Sequence, residues 1–336
     1  MSKYSRKLSL YGGVAISLAC VWWVLRSVDL TEIARLLSAV RMLPLLTAVV
    51  ITVVGYVLRA WRWRYFFAEK APSISASYRC VILGFFMNNI LPARMGEFVR
   101  AHLGGKATGL SRTTVLATIA GERLADGVMI SLIFSGLFTF AARDAQALQE
   151  GKALLYVSFL FALAALIVFL LLVFRRSVYR LIEVIAGRLK GRASRFALVR
   201  IRRFIEGLEP LLRPKRLFWI IIGSVLVWGI ELFAYAKISE AFGQDLGLSY
   251  LSLFLAAVNF SSLIPAAPGG IGVIEAFATA ALVHVGIEPE PALAMVAIQH
   301  LMQMLVVGVP GGWLFFRELH GHLPQAEAAD SEEEYC

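Results

Sequence analysis

Residues 88–100 read NNILPARMGEFVR and follow directly on the apolar stretch VILGFFM at 81–87. A second stretch, NFSSLIPAAPGGIGVIEA at 259–276, follows LSLFLAAV at 251–258 and repeats the order Asn, Pro, Gly, Glu. The markers downstream keep step. Glu97 is followed by Gly109 after 12 residues and by Arg123 after 26, and Glu275 by Gly286 after 11 and by His300 after 25. Two apolar runs broken by matched polar residues predict an internal repeat, against the alternative that Gly and Pro, common in membrane helices, coincide.

Hydrophobic residues fill 59% of the 336 positions and charged residues 17%. Apolar runs reach the ~20 residues that an α-helix needs to cross about 30 Å of hydrocarbon. The expectation is an all-α polytopic membrane protein with about six full crossings, near residues 8–25, 42–60, 113–140, 153–174, 217–239 and 291–316. The broken runs, near 76–103 and 250–285, read either as re-entrant helix pairs or as pairs of thin full spans, for eight or more membrane segments. The start, MSKYSRKLSLYGGVAISLACVWWVL, resembles a signal peptide, yet its apolar run continues to Leu25 and reads as an uncleaved first helix.

Lys and Arg set the sidedness. Lys3, Arg6 and Lys7 mark the amino terminus, and Arg59, Arg62, Arg64, Lys70 and Arg79 follow the second crossing. Segment 175–216 carries 13 Lys/Arg against 3 acids, an excess equal to the whole net charge of +10. These regions are expected in the cytoplasm, with both termini, whereas the neutral or acidic connections 141–152 and 240–250 suit the outer side. The assignment closes only if both broken runs are re-entrant, from opposite faces. Repeat one then spans about 42–140 and repeat two about 217–316, with inverted topology, in a single domain over 1–320 followed by an acidic disordered tail at 321–336. The basic segment has the helical spacing of an amphipathic element on an anionic leaflet. That location makes nucleic acid a poor partner for the charge. LRAWRWRYFF at 58–67 reads as an interfacial belt.

Inverted repeats with discontinuous segments point to transport, with a site where the broken helices meet. A break at Pro92, and another near Pro268, Gly269, Gly270 and Gly272, exposes helix-start amides that attract anions. Arg94, Arg100 and Arg123 would add planar donors for a phosphate-bearing head group. Glu97, Glu122, Asp126, Glu231 and Glu275 lie in or beside apolar runs, where an unpaired charge costs roughly 2.5–3.5 kcal/mol. They are either structural ion pairs or a polar track for substrate or protons. Glu122 and Asp126 share a helix face, so Arg123 could balance part of that cluster. Asn88, Asn89 and Asn259 either meet a head group or satisfy backbone freed by the breaks, and Gln299, His300 and Gln303 put a polar stripe on the last crossing. No cofactor, metal or catalytic centre is expected: Cys20, Cys80 and Cys336 are scattered, and neither a P-loop nor a DxD pair occurs.

NNILPARMGEFVR, GERLADG at 121–127 and PGGIGVIEA at 268–276, in this order, resemble the membrane domain of the lysylphosphatidylglycerol synthase family, often described as flippase-like. The resemblance implies functional weight for Asn89, Pro92, Arg94, Gly96, Glu97 and Arg100, then Glu122, Arg123 and Asp126, then Pro268, Gly269, Gly270, Gly272 and Glu275. It departs at Gln299 and His300, where the family often has an arginine. The soluble synthase domain has no counterpart in the sequence, so lysyl transfer is not expected. The expected function is an inner-membrane translocase moving an anionic or phosphate-linked lipid in a bacterium. A membrane transferase, or an accessory partner of a lipid-modifying enzyme, is the alternative.

Overall fold

Twelve α-helices carry the fold of the described part of the chain, which covers residues 3–68, 70–91, 95–141, 152–180, 192–264 and 266–321 in a computed structural model. In chain order they are α1 (Lys3–Arg26), α2 (Leu30–Ser38), α3 (Met42–Trp63), α4 (Ile74–Ile90), α5 (Gly96–Thr108) and α6 (Arg112–Ala141). They continue with α7 (Lys152–Val173), α8 (Arg192–Leu208), α9 (Pro214–Ala241), α10 (Leu248–Ser261), α11 (Val273–His284) and α12 (Pro289–Gly321). Among the described residues there is no β-strand. Pro92, Arg94, much of the connection 141–152, residues 181–191 and the tail from 322 onward lie outside the described residues.

Local chemistry sets the ends. Ser73 caps α4 by accepting from the Ala76 amide, and Asp29 caps α2 by accepting from Thr31. Gly109, at φ 73°, ends α5 in the left-handed conformation. Four helices are long and apolar enough to cross a membrane: Met42–Phe66, Leu155–Val173, Pro214–Ala241 and Pro289–Glu318. A fifth crossing is reached if Val14–Arg26 and Leu30–Ser38, bent by 85°, count as one. The protein is therefore a multi-pass membrane protein. Of the six expected crossings, 113–140 falls outside this set although α6 covers it fully, since Glu122, Arg123 and Asp126 sit at its middle.

The packing divides into two cores. One gathers α10 and α11 with the start of α12, the end of α9 and residues such as Ile130 and Phe134 late in α6. The other gathers α4 and α5 with Trp63 at the end of α3, Val115 and Ile119 early in α6, Ile220 early in α9 and Leu314 late in α12. Helices α3, α6, α9 and α12 thus run from one core to the other, while each short pair, α4 with α5 and α10 with α11, turns back and belongs to one core. Neighbours are matched: α3 packs along α9, α4 against α12 as α10 against α6, and α5 on α6 as α11 on α12.

The first turn-back depends on Gly96. A Cβ there would run into the Gly84 carbonyl oxygen and lie 2.7 Å from Asn88 Oδ1. Gly96→Ala is expected to cost about 1–3 kcal/mol, as overpacking against backbone does. Unfolding in mixed micelles measures it, and an unchanged midpoint would mean that the α4–α5 contact is looser than described.

Candidate functional site

Polar residues collect where the four long helices pass between the cores. From α3, Arg62 is fully buried and its Nη2 reaches Asp126 Oδ1 at 2.7 Å and Glu122 Oε1 at 3.2 Å, both on α6. Its Nη1 donates to Ser224 Oγ of α9 at 3.0 Å. Arg59, one turn earlier, donates to Glu231 Oε2 of α9 at 3.2 Å and lies over the Trp228 ring at 4.5 Å. Arg100 of α5 contacts the other Glu122 oxygen at 2.6 Å and stacks on Trp63 at 4.1 Å. Arg123 donates to Glu97 at 3.1 Å and stands 3.8 Å from Asp126. Trp228 donates to Asp126 Oδ1 at 2.9 Å, and Gln303 of α12 donates to Glu231 Oε1 at 2.8 Å. Each carboxylate buried between the cores therefore meets an arginine, which removes most of the cost of leaving its charge alone in hydrocarbon.

These contacts correct several expectations. LRAWRWRYFF is not simply an interfacial belt: Arg59, Arg62 and Trp63 point inward and are buried, and only its outer face, with Trp61 and Tyr65 against Trp219, has that character. Arg123 balances the Asp126 part of its cluster, as expected, whereas Glu122 makes its ion pairs with Arg62 and Arg100, which sequence reading did not give. The helix-start amides are taken by the protein's own acceptors. Asn88 Oδ1 accepts from Gly96 N at 2.8 Å, and Glu275 Oε2 accepts from Gly272 N at 2.6 Å. The same oxygens that mend the backbone remove those amides as an anion site. Asn259 likewise donates to Leu255 O at 2.8 Å within its own helix.

The second broken segment has its own pair. His300 Nδ1 lies 2.6 Å from Glu275 Oε1, and His300 Nε2 lies 2.9 Å from the Gly269 carbonyl. The spacing that marks Glu97 with Arg123 and Glu275 with His300 in the sequence thus brings both couples into contact. Further along α6 and α12, Asp126 meets α3 through Arg62, and Gln303 meets α9 through Glu231.

A cavity of about 860 Å³ opens between the two broken segments. Of the predicted site residues, Asn88, Asn89, Glu97, Arg123, Asp126, Asn259, Gly269, Gly270 and His300 line it. Glu275 stands behind His300, whereas Arg100, Glu122 and Gln299 are buried away from the lining, and Pro92 and Arg94 lie outside the described residues. Sequence reading missed Tyr56 and Arg59 of α3 in the lining, and with them Phe161, Ala164 and Val168 of α7 and Phe204 and Leu208 of α8. The Arg59 and Arg62 spacing of i, i+3 on an otherwise apolar helix was the available signal, because buried acids on other helices require cations. No group of three His, Cys, Asp or Glu suited to a metal occurs among the described residues.

Residues 10–311 match the family profile described as the lysylphosphatidylglycerol synthase TM region. The chain belongs to this family. Its curated relatives include a UPF0104 membrane protein of Pyrococcus horikoshii, 25% identical over 94% of this chain and 97% of the relative. Another UPF0104 membrane protein, of Methanothermobacter thermautotrophicus, is 25% identical over 79% of the chain and 82% of the relative. A protein of Haloferax volcanii named glycosyltransferase AglD is 24% identical over 92% of the chain, and the match covers 54% of that protein. No solved structure matches. For this member of the synthase TM family the buried arginines make the first check. Arg62→Met is expected to destabilise the protein by about 3 kcal/mol, because Glu122 keeps only Arg100 as an ion-pair partner and Asp126 only the longer contact with Arg123. Breaking the exposed Arg35–Glu32 pair should leave the unfolding midpoint unchanged. Equal effects would contradict a polar layer that is buried and ion-paired.

Proposed function

We propose that the protein moves lipids between leaflets, with the head group passing through the cavity while the acyl chains remain in the membrane. The observation that carries this reading is the cavity's mixed lining. It holds Arg59, Arg123, Asn88, Asn89 and Gln303 together with apolar residues of α7 and α8. A volume of about 860 Å³ suits a head group with its adjoining glycerol and chain ends, within the roughly 300–1,000 Å³ of ordinary ligand sites. The cation most open to it is Arg123, whose side chain is 32% exposed. A phosphodiester is the natural partner for that guanidinium.

The matched packing supports the inverted repeat, with six full crossings, two re-entrant pairs and a single domain over residues 1–320. Exchanging α3 with α9, α4 with α10, α5 with α11 and α6 with α12 maps each of the main contacts among them onto another. Confinement of each short pair to one core supports its re-entry from one face. With the basic segment on the cytoplasmic side, both termini are cytoplasmic, and the setting is the inner membrane of a bacterium. Transport in that frame follows the general pattern of broken helices meeting at the midplane.

A second reading, a membrane-embedded transferase or an accessory partner in glycolipid synthesis, draws on the word glycosyltransferase in the name of the Haloferax relative. The two separate in vesicles holding the purified protein and labelled lipids with phosphodiester, zwitterionic or neutral sugar heads. Accelerated exchange of the phosphodiester lipid is expected, falling about tenfold in Asn89→Leu, which changes the lining without touching an ion pair. Exchange of the sugar lipid alone would favour the second reading. Failure to accelerate any of them would remove the translocase reading. The double exchange Glu97→Arg with Arg123→Glu is expected to fold and to lose transport; recovery of transport would make the pair a strut.

A further inference from the structure

The Pro268–Gly272 turn forms part of the cavity wall through Gly269 and Gly270. Gly269, Gly270 and Gly272 all adopt positive φ, at 74°, 77° and 86°, so the turn is built from residues with little steric preference for this conformation over its alternatives. Its grip comes from outside. Ser17 Oγ accepts from the Ala267 amide at 3.0 Å, His300 Nε2 meets the Gly269 carbonyl at 2.9 Å, and Glu275 Oε2 accepts from the Gly272 amide at 2.6 Å. Two of these three attachments come from His300 and Glu275, which also contact each other through His300 Nδ1 and Glu275 Oε1 at 2.6 Å.

Hydrogen-bond inventory fixes the proton count of that contact. A carbonyl oxygen only accepts, so His300 Nε2 carries a hydrogen. Nδ1 and Oε1, 2.6 Å apart, must then share one proton, as imidazolium with carboxylate or as imidazole with carboxylic acid. Loss of that proton leaves the imidazole with a single N–H, which can serve the Glu275 carboxylate or the Gly269 carbonyl but not both, so one of the two contacts opens. The corresponding pair in the other half, Arg123 with Glu97, has no such step because a guanidinium keeps its charge.

We propose that His300 and Glu275 form a one-proton site whose occupancy holds the Pro268–Gly272 turn against the cavity and whose emptying releases it. This deepens the translocase reading, since it makes the position of one cavity wall depend on a proton. Several other charged groups on elements packed against α12 are engaged elsewhere, and His284 lies at the opposite end of α11 from Glu275. Glu231 of α9 is held by Arg59 of α3 and Gln303, Arg79 of α4 pairs with Glu318 near the far end of α12, and Glu32 and Arg35 of α2 pair with each other. Across the cavity, Arg123 and Glu97 are bonded to one another.

Amide hydrogen exchange on the full chain in nanodiscs tests the site without requiring transport. From about pH 5 to about pH 9, the range that brackets histidine titration, protection of the Gly272 amide, corrected for intrinsic exchange, is expected to fall by about tenfold or more. Glu275→Gln should abolish the dependence and keep protection high, because its carboxamide accepts from Gly272 and donates to neutral Nδ1 with no extra proton. His300→Phe should be unprotected throughout. Constant protection in the wild type, or a Glu275→Gln variant that follows the wild-type curve, overturns the proposal. Lipid exchange in the same preparations is expected to rise with pH in the wild type and to stay low in Glu275→Gln. If no lipid exchanges while the amide result holds, the translocase reading falls and the proton site stands. If lipids exchange while protection stays constant, the reverse follows.

Discussion

Arg62 must be neutralised in the middle of the protein, and much of the fold follows from how this is done. Its guanidinium meets Glu122, Asp126 and Ser224 on two other helices. A planar, permanently charged group with several donors can hold three partners in fixed relation, which a lysine cannot. Those partners set the registers of α6 and α9 against α3. With the registers set, Arg59 falls opposite Glu231, and Arg100 reaches the remaining oxygen of Glu122. The apolar cores on either side then have defined positions, because the same four helices continue into both.

A polar layer of this kind is a poor source of stability compared with close-packed hydrocarbon side chains of similar size. Its presence calls for a use. The layer is buried and ion-paired at Arg62, Arg100 and Glu122, and becomes accessible toward Arg123 and Glu97, whose side chains are 32% and 27% exposed. The buried part anchors the helices and the accessible part faces the cavity. On the proposed translocase reading, a head group entering there would meet charges whose partners are already in place, and would exchange one set of polar contacts for another instead of leaving a charge stranded. That is the condition for a site that binds and also releases.

Much of this was legible in the sequence, for reasons that also explain what was not. The couples Glu97–Arg123 and Glu275–His300 could be found because each partner lies on the helix next to the other in the chain, at nearly equal separation. The roles of Arg59 and Arg62 could not, because tryptophan and arginine at the end of a span have the same local composition whether they face head groups or buried acids. Only the partners decide between these cases, and those lie 60 to 172 positions away. The reading of the breaks was refined for a different reason. Free amides were inferred from Pro92 and from the glycines; Gly96 N is taken by Asn88, which settles that side chain on the backbone-satisfying alternative, and Gly272 N is taken by Glu275, noted only as a buried acid.

The two halves therefore differ at the position where their correspondence is closest. In the first, a fixed cation holds Glu97 from the neighbouring helix. In the second, an imidazole holds Glu275 and, through its other nitrogen, the turn that carries Gly269. A symmetric pair of guanidinium clamps would make both walls of the cavity permanent. Replacing one by a group that gives up its charge leaves the first wall fixed and makes the second conditional. The proposed translocation would need that difference, since two equally rigid walls cannot open in turn and two equally loose ones cannot hold a head group between them.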